Sequence, residues 1–270
     1  MGALLGIILV LPFVDGTVPF LHGSGRSQAF LPSAVFYAAG TVLSLFLMRG
    51  ISPSSRSSNS APLAQLYRQT RGAARETTER KNIWYFLLGL FLFADAILTI
   101  ENNASYYLVD VMQYSENAKA ALFALLLVMA ALGALLSVKL AQRIRPQKLL
   151  IGILVAWAVT LLLVSVTRRP TSFALLFAIV GLLFGSQAAV ARAFFLTLLP
   201  PDRAGQYFGI FASFQRFANC IGPLVWVGVA CRFHSRGTDA YRLSMVAMAM
   251  LICMGIAFIY KISEPAPQTA

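Results

Sequence analysis

The sequence predicts an all-α polytopic membrane protein with about eight transmembrane helices, all but the first near the length needed to cross a bilayer. Three observations carry that prediction. Hydrophobic residues make up 58% of the 270 residues and charged residues only 12%, and the mean hydropathy is +0.72. Runs of about twenty apolar residues recur with almost no charge inside them, whereas a surface helix of a soluble fold would carry a polar face. The net charge of +12 would point to nucleic acid in a soluble protein, but here the basic residues sit mostly between the apolar runs. They therefore read as topology signals, and no nucleic-acid partner is predicted.

The spans fall at about 3–14, 30–49, 83–112, 118–137, 148–167, 172–198, 205–231 and 241–261. The first is short: about twelve residues at ~1.5 Å each cover ~18 Å of a ~30 Å hydrocarbon core. Its apolar core resembles that of a signal peptide, but the basic n-region and the cleavage site are missing. Between the second and third spans lies a Ser-, Pro-, Arg- and Gln-rich stretch without core periodicity, read as a solvent-exposed linker, with Leu63 to Glu79 suited to a surface helix. If the linker is cytoplasmic, Lys and Arg on its side outnumber those on the other by about two to one, which puts the linker and the C-terminus inside.

The third span holds the most informative polar residues. Asp95 lies about 18 Å along it from Ile83, near the midplane. At 100° per residue, Thr99, Asn102 and Tyr106 fall within about 40° of Asp95 and complete one polar stripe, whereas Glu101 points about 120° away. Ionisable groups at that depth need a partner, water or a function. The stripe is either the lining of a solute or proton path or a structural seam between helices. In the sixth span, Gly181, Gly185 and Ser186 permit close helix approach, Gln187 sits past the midplane, and Arg192 reaches the inner interface. Arg216, in the seventh, needs a counter-charge. Asp95 or Glu101 is the candidate, as a gating or a purely structural ion pair. Gly222-Pro223 should kink the same helix.

Soluble-enzyme motifs are missing, and the two histidines, His22 and His234, each stand alone. Cys220, Cys231 and Cys253 show no CxxC spacing and are odd in number. No cofactor, metal site or enzymatic activity is predicted.

The stretch GALLSVKLAQRIRPQKLL, residues 133–150, resembles the inner-loop signature of the major facilitator superfamily, with Gly133, Arg143 and Lys148 as its matching residues. Gln142 and Arg145 stand where that signature has Asp and Gly. The third span and the segment GLLFGSQAAVARAFFLTLLPPDRAGQYFGIFASFQRFANCIGPL are similar to the vacuole-effluxer-like branch, which contains autophagy-related fungal amino-acid effluxers and bacterial relatives. Its Asn-Asp-Gly is matched by Asp95, followed by Thr99. Its Gln-Ala-x-Ser-Arg-Ser is matched by Gln187, Ala188 and Arg192, with Ala191 and Ala193 in place of the serines. Pro200 and Gly222-Pro223 agree, and Arg216 replaces the usual Lys.

The resemblance implies four regions: the last two helices of an incomplete N-terminal lobe over 1–49, a central cytoplasmic linker over 50–82, a C-terminal six-helix lobe over 83–261, and a cytoplasmic tail over 262–270. Four helices of the complete fold would then be absent, through truncation or a misassigned start. It also implies that the third and sixth spans line the cavity, with Asp95, Thr99 and Asn102 on one wall and Gln187 and Arg192 on the other, and Asp95 as a proton-coupling carboxylate. The expected activity is alternating-access transport of a small polar solute, amino acids foremost and protons as the coupling ion, completed by the missing lobe helices. The alternative is a truncated non-transporting module or accessory subunit. The expected location is a bacterial plasma membrane, or a vacuolar membrane if the source is fungal.

Overall fold

A computed structural model describes residues 30–48, 80–200 and 204–263. The span expected at 3–14, the linker up to residue 79 with its surface helix, and the tail beyond Ser263 lie outside the described residues. The chain divides into two units, Met1–Leu66 and Tyr67–Ala270. In the first, helix α1 (Phe30–Met48) corresponds to the second expected span. Its side chains from Ala34 to Leu47 are exposed, as suits a helix whose surroundings are lipid or other helices.

The second unit is helical throughout its described residues. It comprises α2 (Lys81–Tyr106) continued by a π-helical turn (Tyr107–Val111), α3 (Glu116–Ala141), α4 (Pro146–Val166), α5 (Pro170–Leu198), α6 (Ala204–Phe217), α7 (Ile221–Arg232), a 3-10 turn (His234–Arg236) and α8 (Asp239–Tyr260). Five helices among the described residues are long and apolar enough to cross a membrane: α2 with its π-helical turn, α3, α4, α5 and α8. The chain is thus an all-α, multi-pass membrane protein in contact with lipid. The seventh expected span differs from expectation, because it is two helices too short to cross singly.

Local chemistry sets the helix ends. Ser115 caps α3 by accepting from the amide of Ala118. Pro146 and Pro170 open α4 and α5, where a missing amide hydrogen costs nothing. Gln113 (φ 56°) and Gly237 (φ 60°) take the left-handed backbone that reverses the chain before α3 and α8. Side chains then tie helix ends together. Arg242 donates to the carbonyls of Ser165 and Thr167 at the end of α4. At the opposite end, Gln147 donates to the carbonyls of Ile259 and Ile262, and Asn82 exchanges hydrogen bonds with Ser263. These pairings show that α8 runs antiparallel to α2 and α4.

The core is centred on α2, whose Phe86, Leu90 and Phe93 are fully buried. Phe86 stacks on Phe195 of α5 and on Phe211 of α6, with ring centroids 5.0 and 6.2 Å apart. Glycines allow the closest approaches. A Cβ on Gly133 would strike the backbone of Leu182, and one on Gly181 or Gly185 would strike that of Leu126 or Ala130. The small residues of α5 are therefore seats for α3, and Ser186 secures the pair by donating to the carbonyl of Gly133, 2.9 Å away. Gly133 accordingly lies mid-helix in a packing role, while Arg143 and Lys148 are exposed around the α3–α4 turn.

Gly185→Ala should lower stability by about 1–3 kcal/mol through overpacking, read as a lower thermal midpoint in detergent. Gly152→Ala, where nothing lies within 4 Å of the new methyl, should leave the midpoint unchanged or slightly raised.

Candidate functional site

The seventh span breaks at Ala218–Cys220, midway between Ala204 and Arg232. The cause is local. A proline ring clashes with the carbonyl four residues earlier in a continuous helix, and Pro223 would meet that of Asn219. As the third residue of a new helix, the same proline is well placed, because its missing amide belongs to the unpaired first turn. The expected kink at Gly222-Pro223 is thus a full interruption, starting a few residues upstream.

A helix that starts inside a membrane exposes amides that no water can satisfy. Asp95 of α2 satisfies them. Its Oδ2 accepts from the amide of Gly222 at 2.5 Å and its Oδ1 from that of Cys220 at 3.1 Å. The carboxylate is fully buried and lies midway along the Lys81–Val111 span. It caps α7 from a neighbouring helix, and the positive end of the helix dipole favours its charge. Gly222 is required by geometry, since a Cβ there would collide with the Thr99 hydroxyl and crowd the Asp95 carboxylate.

The remaining stripe residues face the same break. Thr99, fully buried, donates to the carbonyl of Asp95 at 2.8 Å, and Asn102 donates to Oδ1 of Asn219 at 3.3 Å. Asn103 bonds back to the carbonyl of Thr99. Asp95, Thr99 and Asn102 therefore form one surface, and it meets the seventh span. Gln187 is buried on α5 at 6% exposure and has no hydrogen bond among the described residues. Arg192 is exposed on the same helix. Neither makes a hydrogen bond or ion pair with the Asp95 group.

Arg216 makes no ion pair with Asp95 or Glu101. Both Arg216 and Glu101 are exposed, and the partner of Asp95 is the backbone of Cys220–Gly222. Arg216 instead lies in the last turn of α6, where the negative end of the helix dipole suits a cation. The participants that side-chain patterning cannot supply are these backbone amides. Gly222-Pro223 in mid-span signalled a kink in the sequence, but not which backbone donors it would free or which residue would accept from them.

Such an arrangement defines a class: a polytopic helical membrane protein with an interrupted helix at mid-span, its free N-terminus held by a carboxylate of a neighbour. The family follows from comparison with known proteins. The chain belongs to the family described as "Vacuole effluxer Atg22 like", whose model matches residues 8–266. It is 25% identical over 182 residues to the Uncharacterized MFS-type transporter YxiO of Bacillus subtilis (strain 168), covering 67% of this chain and 41% of that protein. To Autophagy-related protein 22 of Kluyveromyces lactis it is 25% identical over 156 residues, covering 54% of this chain and 32% of that one. To that of Eremothecium gossypii it is 24% identical over 193 residues, covering 66% and 38%. The chain thus spans less than half the length of these relatives. No solved structure matches it.

Asp95→Ala should strand buried amides at about 1–3 kcal/mol each and lower the unfolding midpoint in detergent markedly. Asp95→Asn, which keeps one acceptor oxygen, should lower it less. Equal midpoints for wild type and Asp95→Ala would show that the cap contributes nothing.

Proposed function

We propose that this chain is part of a major-facilitator-type transporter that moves a small polar solute across a membrane by alternating access, with amino acids as the leading solute class. The observation that carries this reading is the interrupted seventh span with its N-terminus on Asp95. Interrupted helices at mid-depth are the usual means by which transporters present backbone charge to a substrate, because irregular backbone is tolerated there only inside protein or beside a cavity. An amino acid offers an ammonium, which suits the Asp95 carboxylate.

In this reading Asp95, Thr99 and Asn102 form one wall of the path, and Gln187, whose amide has no hydrogen-bond partner among the described residues, contributes from α5. Arg192, Glu101 and Arg216 act nearer the ends of the path, and Arg143 and Lys148 belong to the inner loop. Residues 83–261 serve as the C-terminal six-helix lobe, 1–49 as the end of the N-terminal lobe, 50–82 as the cytoplasmic linker and 262–270 as the tail. The similarity to YxiO, named as an MFS-type transporter, supports transport over catalysis. The family description, with its vacuole effluxer, supports export from a vacuole in a fungal setting, and the similarity to YxiO supports a plasma-membrane location in a bacterial one.

Counterflow of radiolabelled amino acids into proteoliposomes holding this chain tests the proposal. Flux above that of empty liposomes is the expected result, and its absence favours a non-transporting module. If Asp95 also carries protons, Asp95→Asn should abolish pH-driven uptake while leaving exchange partly intact. An unchanged pH dependence would remove Asp95 from the coupling mechanism.

A further inference from the structure

The two ends of the second unit treat their cations differently. At the end formed by the α2–α3, α4–α5 and α7–α8 connections, carboxylates accompany three of them, Lys119, Arg168 and Arg242. Lys119 pairs with Glu116 at 2.6 Å, and Arg168 and Arg242 both approach Asp239 at 3.6 Å. At the opposite end Lys81, Lys148 and Lys261 are all exposed, and none of them has an ion pair among the described residues. Glu264, the next carboxylate in sequence, lies outside those residues.

A general excess of cations on the inner side would scatter them over that end. That end does carry others, Lys139, Arg143 and Arg145 around the α3–α4 turn, but Lys81, Lys148 and Lys261 flank one junction. Each is the sequence neighbour of a residue in the hydrogen-bonded clasp that joins three helices: Lys81 precedes Asn82, Lys148 follows Gln147, and Lys261 precedes Ile262. The clasp brings the start of α2, the start of α4 and the end of α8 together, and with them the backbone that carries the three lysines; the Lys261 Nζ lies 5.8 Å from the centroid of the Phe258 ring. No carboxylate stands in the first turn of α2 or α4, so nothing acidic on those turns offsets the positive ends of the two helices.

The surface below the junction is apolar. Lys148 heads an exposed row on α4 that continues through Gly152, Val155, Val159 and Leu162 at helical spacing. Lys261 ends a similar row on α8 that includes Met250 and Met254 and finishes at Tyr260, 76% exposed. A phenol beside a lysine at the end of an apolar helix face is the usual arrangement at the boundary between acyl chains and headgroups.

We infer that Lys81, Lys148 and Lys261 form a binding site for one anionic glycerophospholipid of the adjacent leaflet, its phosphate on the three ammonium groups and its acyl chains along α4 and α8. Basic pockets between transmembrane helices on the cytoplasmic side are suited to such headgroups. The site is independent of any transport activity.

The test uses the full chain in detergent, titrated separately with phosphatidylglycerol, phosphatidylcholine and inorganic phosphate, with bound lipid read by native mass spectrometry and the thermal midpoint read in parallel. Phosphatidylglycerol should be retained and should raise the midpoint, and the other two should not. Replacing all three lysines by Gln should weaken phosphatidylglycerol binding about a hundredfold, at about fivefold for each lysine near the surface. Replacing them by Arg should preserve it within about threefold, and Lys119→Gln with Arg169→Gln at the opposite end should leave it intact. Should the triple Gln variant not fold, Lys148→Gln alone is expected to show the fivefold loss. The inference is overturned if the Gln variant binds phosphatidylglycerol as wild type does, if the opposite-end variant loses as much, if phosphatidylcholine binds equally, or if inorganic phosphate reproduces the shift.

Discussion

The rest of the second unit depends on one contact, the carboxylate of Asp95 on the first amides of α7. In water a helix start is satisfied by solvent and its cap contributes modestly. In a bilayer the alternative to a cap is a row of bare N–H groups, each costing several kcal/mol in hydrocarbon. The break in the seventh span is therefore sustainable only because a neighbouring helix supplies a charged acceptor at the same depth. The reverse also holds, because a carboxylate buried in the middle of α2 needs donors, and the helix start supplies them together with a favourable dipole. Two features that would each be unfavourable alone make one favourable arrangement. Their mutual dependence fixes the register of α2 against α7.

The same logic recurs at lower stakes elsewhere. Arg242 covers the last carbonyls of α4, Gln147 covers those of α8, and Ser186 reaches the backbone of Gly133 across a glycine contact. In each case a polar side chain spans two helices and ends on a backbone carbonyl of the neighbour, at a helix end for Arg242 and Gln147 and in mid-helix for Ser186. This is how a bundle without a hydrophobic driving force between its helices acquires specificity: shape from small residues, and direction from hydrogen bonds. Phe86, Phe195 and Phe211 fill the remaining volume where α2, α5 and α6 meet.

The proposed function enters through the break in the seventh span, where the backbone is irregular at mid-depth. A seamless bundle offers a solute only side chains, whereas an interrupted helix offers backbone amides with a net partial charge. Asp95, Thr99, Asn102 and Asn219 cluster there, and membership of a family described by effluxers is in keeping with such a place. The lysines at the basic end are a separate feature, on the lipid-facing side of the unit, and depend on the clasp between α2, α4 and α8.

Hydropathy by itself determined that the chain is helical and membrane-embedded. It located five of the spans to within a few residues, because twenty apolar residues in succession admit few other fates. Periodicity also determined that Asp95, Thr99 and Asn102 share a face. The partner of that face was decided by tertiary structure alone. Helical periodicity specifies direction around one axis and says nothing about which neighbour stands there, so charge matching turned Arg216 toward Asp95, while packing gave Asp95 the amides of Cys220–Gly222. Backbone donors are the same in every sequence, and only the break that frees them makes them a partner. Gly222-Pro223 announced a disturbance in the seventh span, but its conversion into two separate helices required the acceptor that α2 brings.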